Sequence, residues 1–378
     1  MYRYVALLLC PLSLATVATA ATAPVAYVYV STSKGVNLYD VASTGKLTLV
    51  SGSPFKTTGL MIGSNGKYFI TLGTDYVHSY LIASNGAIKQ QESQINTQLY
   101  SGADCGTTAG AVFDHTGQYL YVSLNTSHKC DALQTVNIAS ANGLLTFKGS
   151  TSFDFEWPGT DAPPSITANG AFAYNQYLSD TFPHFIINSF TRESSGTLLY
   201  AGPPSEQDPT NAAGLGYTLS NLTPDPTNHL AAVVREADPS DSNTIGGIQQ
   251  LASYTIGSQG KLTSTNPSAQ MPTPKITVYT TNMAPSGKLL AVASAAYSSG
   301  DVPGLEVYHF NGAAPVTTYS GVLTTSPIQW IHWDNSNHLY ALSASKLYVF
   351  TVTPTSITPA SGSPYTIASP NGLFVVPK

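Results

Sequence analysis

The chain contains little charge, and this scarcity limits what it can bind. Only 9% of its 378 residues are Asp, Glu, Lys or Arg, against about 25% in an average soluble protein. Its three arginines are Arg3, Arg192 and Arg235. Nucleic-acid binding needs clustered Lys and Arg to displace counterions, and phosphate recognition favours guanidinium groups. We therefore expect no nucleic-acid partner and disfavour a phosphorylated ligand.

Common catalytic motifs are also missing. There is no Gly-x-Ser-x-Gly elbow, no phosphate-binding glycine loop and no zinc-ligand spacing. Trp333-Asp334 resembles the WD dipeptide, but it stands before a turn and we assign it no function. No apolar run is long enough to span a bilayer. The sequence thus predicts neither a familiar active site nor a membrane span.

The first 23 residues have the pattern of an export signal. Arg3 is followed by an apolar stretch over residues 5–14, and small residues precede a cleavage point after Ala20 or Ala23. We predict a signal peptide over residues 1–23, a single domain over residues 24–378, and a secreted or periplasmic location. We also expect a monomer.

Cysteine is scarce, with three residues in the chain. Cys10 lies in the predicted signal, so Cys105 and Cys130 remain in the mature protein. An even pair in an oxidising compartment predicts a disulfide, and both cysteines fall in loops of the same repeat. The alternative is two unpaired thiols.

One pattern recurs seven times: a strand-like run, a small polar turn and a second strand-like run. The first copy is YDVASTGKLTLV from Tyr39. The seven turn positions are Gly45, Gly86, Gly143, Gly196, Gly260, Gly312 and Thr355. They are spaced about 52 residues apart, and short strands repeating at such a period are typical of a β-propeller with one four-stranded sheet per repeat. We predict an all-β, seven-bladed β-propeller.

A second set of turns precedes the second strand of each blade, as in SNGKYFITL from Ser64 and HTGQYLYVSL from His115. The first repeat lacks an inner strand, and PNGLFVVPK from Pro370 has no repeat of its own. We therefore predict that residues 373–376 pair into blade 1 and close the ring, which removes the open edges of the propeller.

Loop length separates the two faces of the predicted propeller. Both sets of turns are short and lie on one face. Long connections collect on the opposite face: 98–108, 125–133, 154–164, 176–184, 201–216, 236–248, 263–275 and 295–304. Long loops on one rim of a rigid scaffold usually carry the binding site.

With the repeats aligned, the chain resembles the lactonase family of seven-bladed propellers, which contains 6-phosphogluconolactonase, and the exported YVTN-type propellers. The resemblance covers the whole mature chain and rests on QYLYVSLN from Gln118, GSPF from Gly52 and GSPY from Gly362. It implies the propeller fold and the opening of a sugar lactone.

Most of that family's active-site motifs are replaced. Its His-Pro approach is Thr108-Ala109-Gly110, its Asp-Leu-Gly segment is Ser123-Leu124-Asn125, and its Gly-Pro-Arg-His segment is Gly214-Leu215-Gly216-Tyr217. Its Val-Asn-Glu-Leu segment resembles Val234-Arg235-Glu236-Ala237. The resemblance implies Glu236 as a general base with Arg235 as its partner; the alternative is a solvated pair on the rim.

Other candidate ligands come from the long loops. Glu236, Asp238 and Asp241 offer oxygen ligands for calcium, although the EF-hand spacing is absent and a solvated acidic loop is the alternative. Further acidic residues of this rim are Glu156, Asp161, Glu206, Asp208 and Asp301. Four aromatic residues lie in or beside the long loops and could stack on a sugar or peptide: Trp157, Tyr177, Tyr217 and Tyr297.

Three hypotheses of function follow. The first is a lactonase-like scaffold that binds a ligand or an extracytoplasmic protein and has lost most catalytic residues. The second is a hydrolase that opens a sugar or related lactone, with Glu236 activating water. The third is a cell-envelope assembly factor that presents its long loops to a partner protein. Propellers support many unrelated functions, so the fold does not choose among them.

Overall fold

The computed structural model describes residues 23–97, 108–124, 131–153, 163–178, 185–202, 217–236 and 248–378. These residues form seven antiparallel sheets, each built around four strands. The only helical segment among them is one 3-10 turn, Ser268–Gln270. The prediction of an all-β, seven-bladed propeller is confirmed.

The strands of each blade follow one another from the innermost outwards. Blade 1 is β29 (Pro370–Pro377), β1 (Ala26–Thr32), β2 (Gly35–Val41) and β3 (Leu47–Leu49). Blade 2 is β4 (Leu60–Ser64), β5 (Tyr68–Leu72), β6 (Tyr76–Ile82) and β7 (Ile88–Asn96). Blade 3 is β8 (Thr108–Phe113), β9 (Tyr119–Leu124), β10 (Asp131–Ile138) and β11 (Leu145–Phe153). Blade 4 is β12 (Ser165–Ile166), β13 (Phe172–Leu178), β14 (Phe185–Arg192) and β15 (Leu198–Gly202).

The remaining blades have the same order. Blade 5 is β16 (Tyr217–Pro224), β17 (His229–Glu236), β18 (Gln250–Ile256) and β19 (Leu262–Thr263). Blade 6 is β20 (Thr280–Met283), β21 (Leu289–Ser294), β22 (Gly304–Asn311) and β23 (Ala314–Thr318). Blade 7 is β24 (Ile328–Trp333), β25 (His338–Ser343), β26 (Lys346–Val352) and β27 (Ile357–Pro359), and β28 (Tyr365–Thr366) also pairs with β26.

The last strand closes the ring as the sequence predicts. β29 pairs antiparallel with β1, with Leu373 opposite Val30 and Val375 opposite Val28. The GSPF and GSPY segments that lead into inner strands share one backbone geometry, with Gly52 and Gly362 at positive φ and a cis peptide bond before each proline. Blade 1 therefore joins the two ends of the described chain.

The recurrent turn glycines connect neighbouring blades. Six of the seven turn positions are glycines at positive φ between the third and fourth strands. Tyr29 donates a hydrogen bond to the Gly86 carbonyl at 2.7 Å, and Tyr121 donates one to the Gly196 carbonyl at 2.8 Å. Each tyrosine lies one blade before the glycine it contacts, and burial raises the pKa of Tyr121 to about 12. The repeated sequence phrase thus encodes a contact between blades as well as a turn.

Aspartates organise the inner turns of blades 3, 5 and 7. Asp114, Asp225 and Asp334 are buried and accept hydrogen bonds from backbone N–H groups of the turn that follows each of them. Such side-chain acceptors replace the ladder bonds that the backbone loses at a turn. These aspartates belong to the short-turn face, opposite the long loops.

Aromatic rings approach the axis of the propeller at blades 1 to 3. A Cβ added to Gly63 would lie 2.9 Å from the Phe374 ring and 3.0 Å from the Phe113 ring. His332 contacts Phe374 edge to face, with ring centroids 5.2 Å apart. Burial lowers the pKa of His332 to about 4, so this imidazole is neutral near pH 7.

Candidate functional site

The long-loop face brings predicted site residues together at blades 5 and 6. β17 ends there with Arg235 and Glu236, whose register partners on β16 are Thr218 and Tyr217. The Arg235 side chain is half-buried. The sequence places these residues at the end of a second strand, and the register confirms that position.

Tyr279 precedes the inner strand of blade 6 and points its hydroxyl at the loop that carries Asp301. Its O–H donates to Asp301 Oδ2 at 2.8 Å, and the Ser298 backbone N–H donates to the same oxygen at 2.7 Å. Burial and the Asp301 carboxylate raise the pKa of Tyr279, so the phenol stays protonated near pH 7. The ring is therefore held in one orientation while 37% of its surface remains exposed.

Tyr297 completes an aromatic pair with Tyr279. The two ring centroids lie 5.0 Å apart at an interplanar angle of 79°, the edge-to-face arrangement that aromatic pairs favour. Tyr297 is 70% exposed. The preceding residue, Ala296, has a φ of 54°, so the loop turns sharply before the ring.

Arg235 lies within electrostatic reach of this pair. Burial lowers the pKa of its guanidinium, and electrostatic interaction with Tyr279 and Asp301 opposes that shift. We call the group formed by Arg235, Tyr279, Tyr297 and Asp301 the aromatic patch. It combines exposed ring surface with a cation and an anion, the chemistry that orients a polar ligand on an apolar surface.

Backbone contacts hold the segment that carries the aromatic patch. Gln249 bonds both backbone groups of Val278, through its Oε1 at 2.7 Å and its Nε2 at 3.1 Å. Thr277 and Val302 exchange two further bonds, one backbone to backbone and one to the Thr277 hydroxyl. The patch therefore rests on a bonded scaffold between blades 5 and 6.

The remaining predicted site residues lie on other strands or outside the described residues. Tyr177 lies on β13 of blade 4, opposite Ile186. Trp157, Cys105, Cys130, Asp238 and Asp241 lie outside the described residues. The disulfide and the calcium site stay predictions. Among the described residues, no group of three or more His, Cys, Asp or Glu side chains is arranged to hold a metal ion.

Sequence reasoning missed Tyr279 and gave no special role to Asp301. Tyr279 follows Val278 in a run that resembles an ordinary strand, and Asp301 is one of several acids in long loops. The available signal was the position of Tyr279 at the start of an inner strand, where the long-loop face begins. Because every blade has a residue at that position, the signal could not single out Tyr279.

Known proteins resemble this chain in fold. The chain matches no protein-family model and no curated protein. A candidate 6-phosphogluconolactonase of Bacteroides uniformis matches in structure at 12% identity over 93% of this chain and 99% of that chain, with a TM-score of 0.58. The periplasmic gluconolactonase of Pseudomonas aeruginosa matches at 13% identity with the same coverage and a TM-score of 0.57. A Lactobacillus plantarum protein matches at 14% identity over 93% and 98% of the two chains, with a TM-score of 0.62.

These likenesses define the class of protein. The chain is a seven-bladed β-propeller similar in fold to lactonase-type propellers. At 12–14% identity the similarity shows the fold alone. Within the described residues, no helix is long and apolar enough to cross a membrane.

Proposed function

We propose that this chain is an exported propeller that binds a small sugar or sugar-derived lactone on the aromatic patch. The observation that carries the proposal is the Tyr279–Tyr297 pair, held edge to face at 5.0 Å and partly exposed on the long-loop face. The proposed export rests on the signal pattern of residues 1–23.

The chemistry of the aromatic patch supports a ligand of this class. A sugar ring presents C–H groups on its faces and hydroxyl groups around its edge. Tyr279 and Tyr297 offer ring surface for the faces, whereas Arg235 supplies donors and Asp301 an acceptor for the hydroxyls. The hydrogen bond from Tyr279 to Asp301 fixes both groups before a ligand arrives, which reduces the entropy lost on binding.

A lactone hydrolase is the second candidate. Glu236 ends β17 beside Arg235 at the same face, and two solved structures of similar fold carry lactonase names. In this reaction Glu236 would accept a proton from water as the water oxygen bonds to the lactone carbonyl carbon. The ring ester bond then breaks as the protonated Glu236 returns that proton to the ring oxygen, which leaves as a hydroxyl group. Arg235 would stabilise the negative charge on the carbonyl oxygen.

Binding is favoured over catalysis because most of the expected catalytic motifs are replaced. The histidine and arginine that the family resemblance implies have no counterpart in Thr108-Ala109-Gly110 or Gly214-Leu215-Gly216-Tyr217. The aromatic patch can orient a ligand without those residues, whereas general acid–base catalysis would need them or replacements for them.

The test is calorimetric titration of gluconolactone, gluconate and 6-phosphogluconate into the mature protein, with turnover followed in parallel. Tyr297→Ala should weaken lactone or gluconate binding at least about tenfold, because truncating an aromatic anchor costs roughly 2 kcal/mol and 1.4 kcal/mol is tenfold. Tyr76→Ala is the matched control, since Tyr76 is 39% exposed on blade 2 and lies far from the patch.

The variant Glu236→Gln distinguishes the two candidate functions. Loss of turnover with retained binding would establish the hydrolase. Binding without turnover in the unsubstituted protein would establish the binding propeller. Equal affinities for the unsubstituted protein, Tyr297→Ala and Tyr279→Ala would refute the aromatic patch as the site, as would the absence of any binding.

A further inference from the structure

The interface between blades 3 and 4 buries polar atoms that have no partner within the described residues. They are Ser123 Oγ, Thr135 Oγ1, Asn175 Oδ1, and both the Oδ1 and the Nδ2 of Asn188. Thr135 is 0% exposed and Asn188 is 1% exposed. Buried polar groups in folded proteins are nearly always hydrogen-bonded, so five such atoms at one interface require an explanation.

The strand registers show that the blade 3 atoms face blade 4. Tyr121 on β9 reaches the Gly196 carbonyl of blade 4, so its side of the sheet faces that blade. Ser123 is two residues further along β9 and therefore points to the same side. Thr135 lies directly opposite Tyr121 on β10 and shares that side.

The blade 4 atoms face back towards blade 3. Ala173 and Phe190 are register partners and pack in one apolar cluster with Tyr121 of blade 3. Asn175 is two residues beyond Ala173 on β13, and Asn188 lies directly opposite Asn175 on β14. All five atoms thus point into one interface, which we call the polar interface.

The polar interface also has little apolar packing. Its cluster contains five buried side chains among the described residues: Tyr121, Leu133, Ala173, Phe190 and Leu198. The cluster between blades 7 and 1 contains thirteen. The smaller apolar cluster and the unpaired polar groups lower the free energy needed to separate these two blades locally.

The polar interface is close to the long-loop face. β9 ends at Leu124, one residue after Ser123, and β13 ends at Leu178, three residues after Asn175. A local separation of the two blades would therefore expose these groups to a ligand arriving from the long-loop side.

We propose that the polar interface is a second ligand site, which binds hydroxyl groups of a neutral sugar or polyol from the long-loop face. Amides and hydroxyls offer both donors and acceptors and carry no charge. A charged ligand would leave its charge uncompensated among them, and an apolar ligand would leave all five atoms unsatisfied. Hydroxyl groups can satisfy donors and acceptors together. This site is separate from the aromatic patch on blades 5 and 6.

The test replaces the amide by an apolar group of similar shape. Asn188→Leu and Thr135→Val remove unpaired polar atoms, so each variant should fold with an unchanged or higher Tm. Asn266→Leu is the matched control, because Asn266 is also buried but its Nδ2 donates to Ser253 Oγ at 2.6 Å and to the Ser253 carbonyl at 3.3 Å. That variant should melt at a lower temperature.

Binding is then measured by calorimetry with methyl α-glucoside and with glycerol as probes. Tyr279→Ala, which removes one ring of the aromatic patch, should still bind methyl α-glucoside, and adding Asn188→Leu to that variant should weaken the remaining binding at least about tenfold. A crystal structure with the probe should place its hydroxyl groups against Asn175 and Asn188.

Three results would overturn the inference. The first is the absence of binding by either probe, with ordered water alone between the blades. The second is binding that survives Asn188→Leu but disappears in Tyr279→Ala, which would support the aromatic patch instead. The third is a Tm for Asn188→Leu that falls as far as that of Asn266→Leu, since the amide would then have a partner inside the protein.

Discussion

Replacing Asp334 with alanine should strongly destabilise blade 7. The Asp334 carboxylate is fully buried and accepts four hydrogen bonds within 2.9 Å. Two come from the backbone N–H groups of Ser336 and His338, one from His338 Nδ1 at 2.7 Å, and one from the Tyr340 hydroxyl at 2.8 Å. Alanine would leave all four donors buried without an acceptor.

The size of the effect follows from those four hydrogen bonds. Removing one partner of a buried, hydrogen-bonded charge costs about 3–5 kcal/mol, because the groups left behind keep their desolvation penalty. The entropy of unfolding is about 2.1 cal/mol/K per residue, or roughly 0.75 kcal/mol/K for a domain of this size. A loss of about 4 kcal/mol should therefore lower Tm by about 5 °C.

The same carboxylate makes stability depend on pH. Burial alone would raise the pKa of Asp334, but hydrogen bonds and charge from His338, and the bond from Tyr340, outweigh it and hold the pKa below 3.8. A lowered folded-state pKa stabilises the fold above the unfolded value. This contribution should be complete above about pH 5 and should be lost progressively as pH falls from about 4 through the lower folded-state pKa.

Urea unfolding at pH 7 and pH 3 tests both parts of this prediction. Asp225→Ala is the matched control, since Asp225 occupies the equivalent turn of blade 5. Its Oδ2 lies 3.7 Å from His229 Nδ1, and the His229 side chain is 27% exposed. Water can replace part of what that substitution removes, so the loss should be about half as large. Equal losses for the two variants, or an Asp334→Ala loss that is the same at both pH values, would refute the reasoning.

Two further predictions concern the turns and the cysteines. In thermal melts, Gly196→Ala should destabilise the fold by more than Gly66→Ala. Both glycines have positive φ, so the backbone strain is similar. An added Cβ at Gly196 would lie 2.3 Å from the Tyr119 ring, whereas none of the described atoms lies within 4 Å of a Cβ added at Gly66. Similar losses would show that backbone strain dominates. Cys105 and Cys130 should give no free thiol in the denatured, unreduced mature protein and two after reduction; two thiols before reduction would exclude the disulfide.

Much of the fold was predictable because its signals are local and repeated. A turn glycine such as Gly86 has a positive φ that few other residues adopt, so its place in the repeat marks a hairpin. Closure by residues 373–376 was predictable for the same reason, since an inner strand was missing at one end and unassigned at the other. The alternation of side chains along a strand also favours one pairing register within its own blade, whichever blade packs against it.

The candidate site was predictable only in part. Tyr297 was identified from its position in a long loop and Arg235 from the resemblance of residues 234–237 to a family segment, but their sharing of one patch was not predicted. It depends on Tyr279 and Asp301, whose hydrogen bond joins two separate segments of blade 6. Nothing local in the sequence specifies that bond.

The contacts of Asn175 and Asn188 in the polar interface were likewise not predictable from the sequence. Each lies in an ordinary strand pattern, and only the registers of two blades turn both amides towards Ser123 and Thr135. The sequence alone determined the number of blades, the turns and the closing strand, because these follow from backbone conformations that each segment prefers by itself. Tertiary structure alone decided which side chains meet across blades, because such contacts depend on the packing of segments distant in sequence.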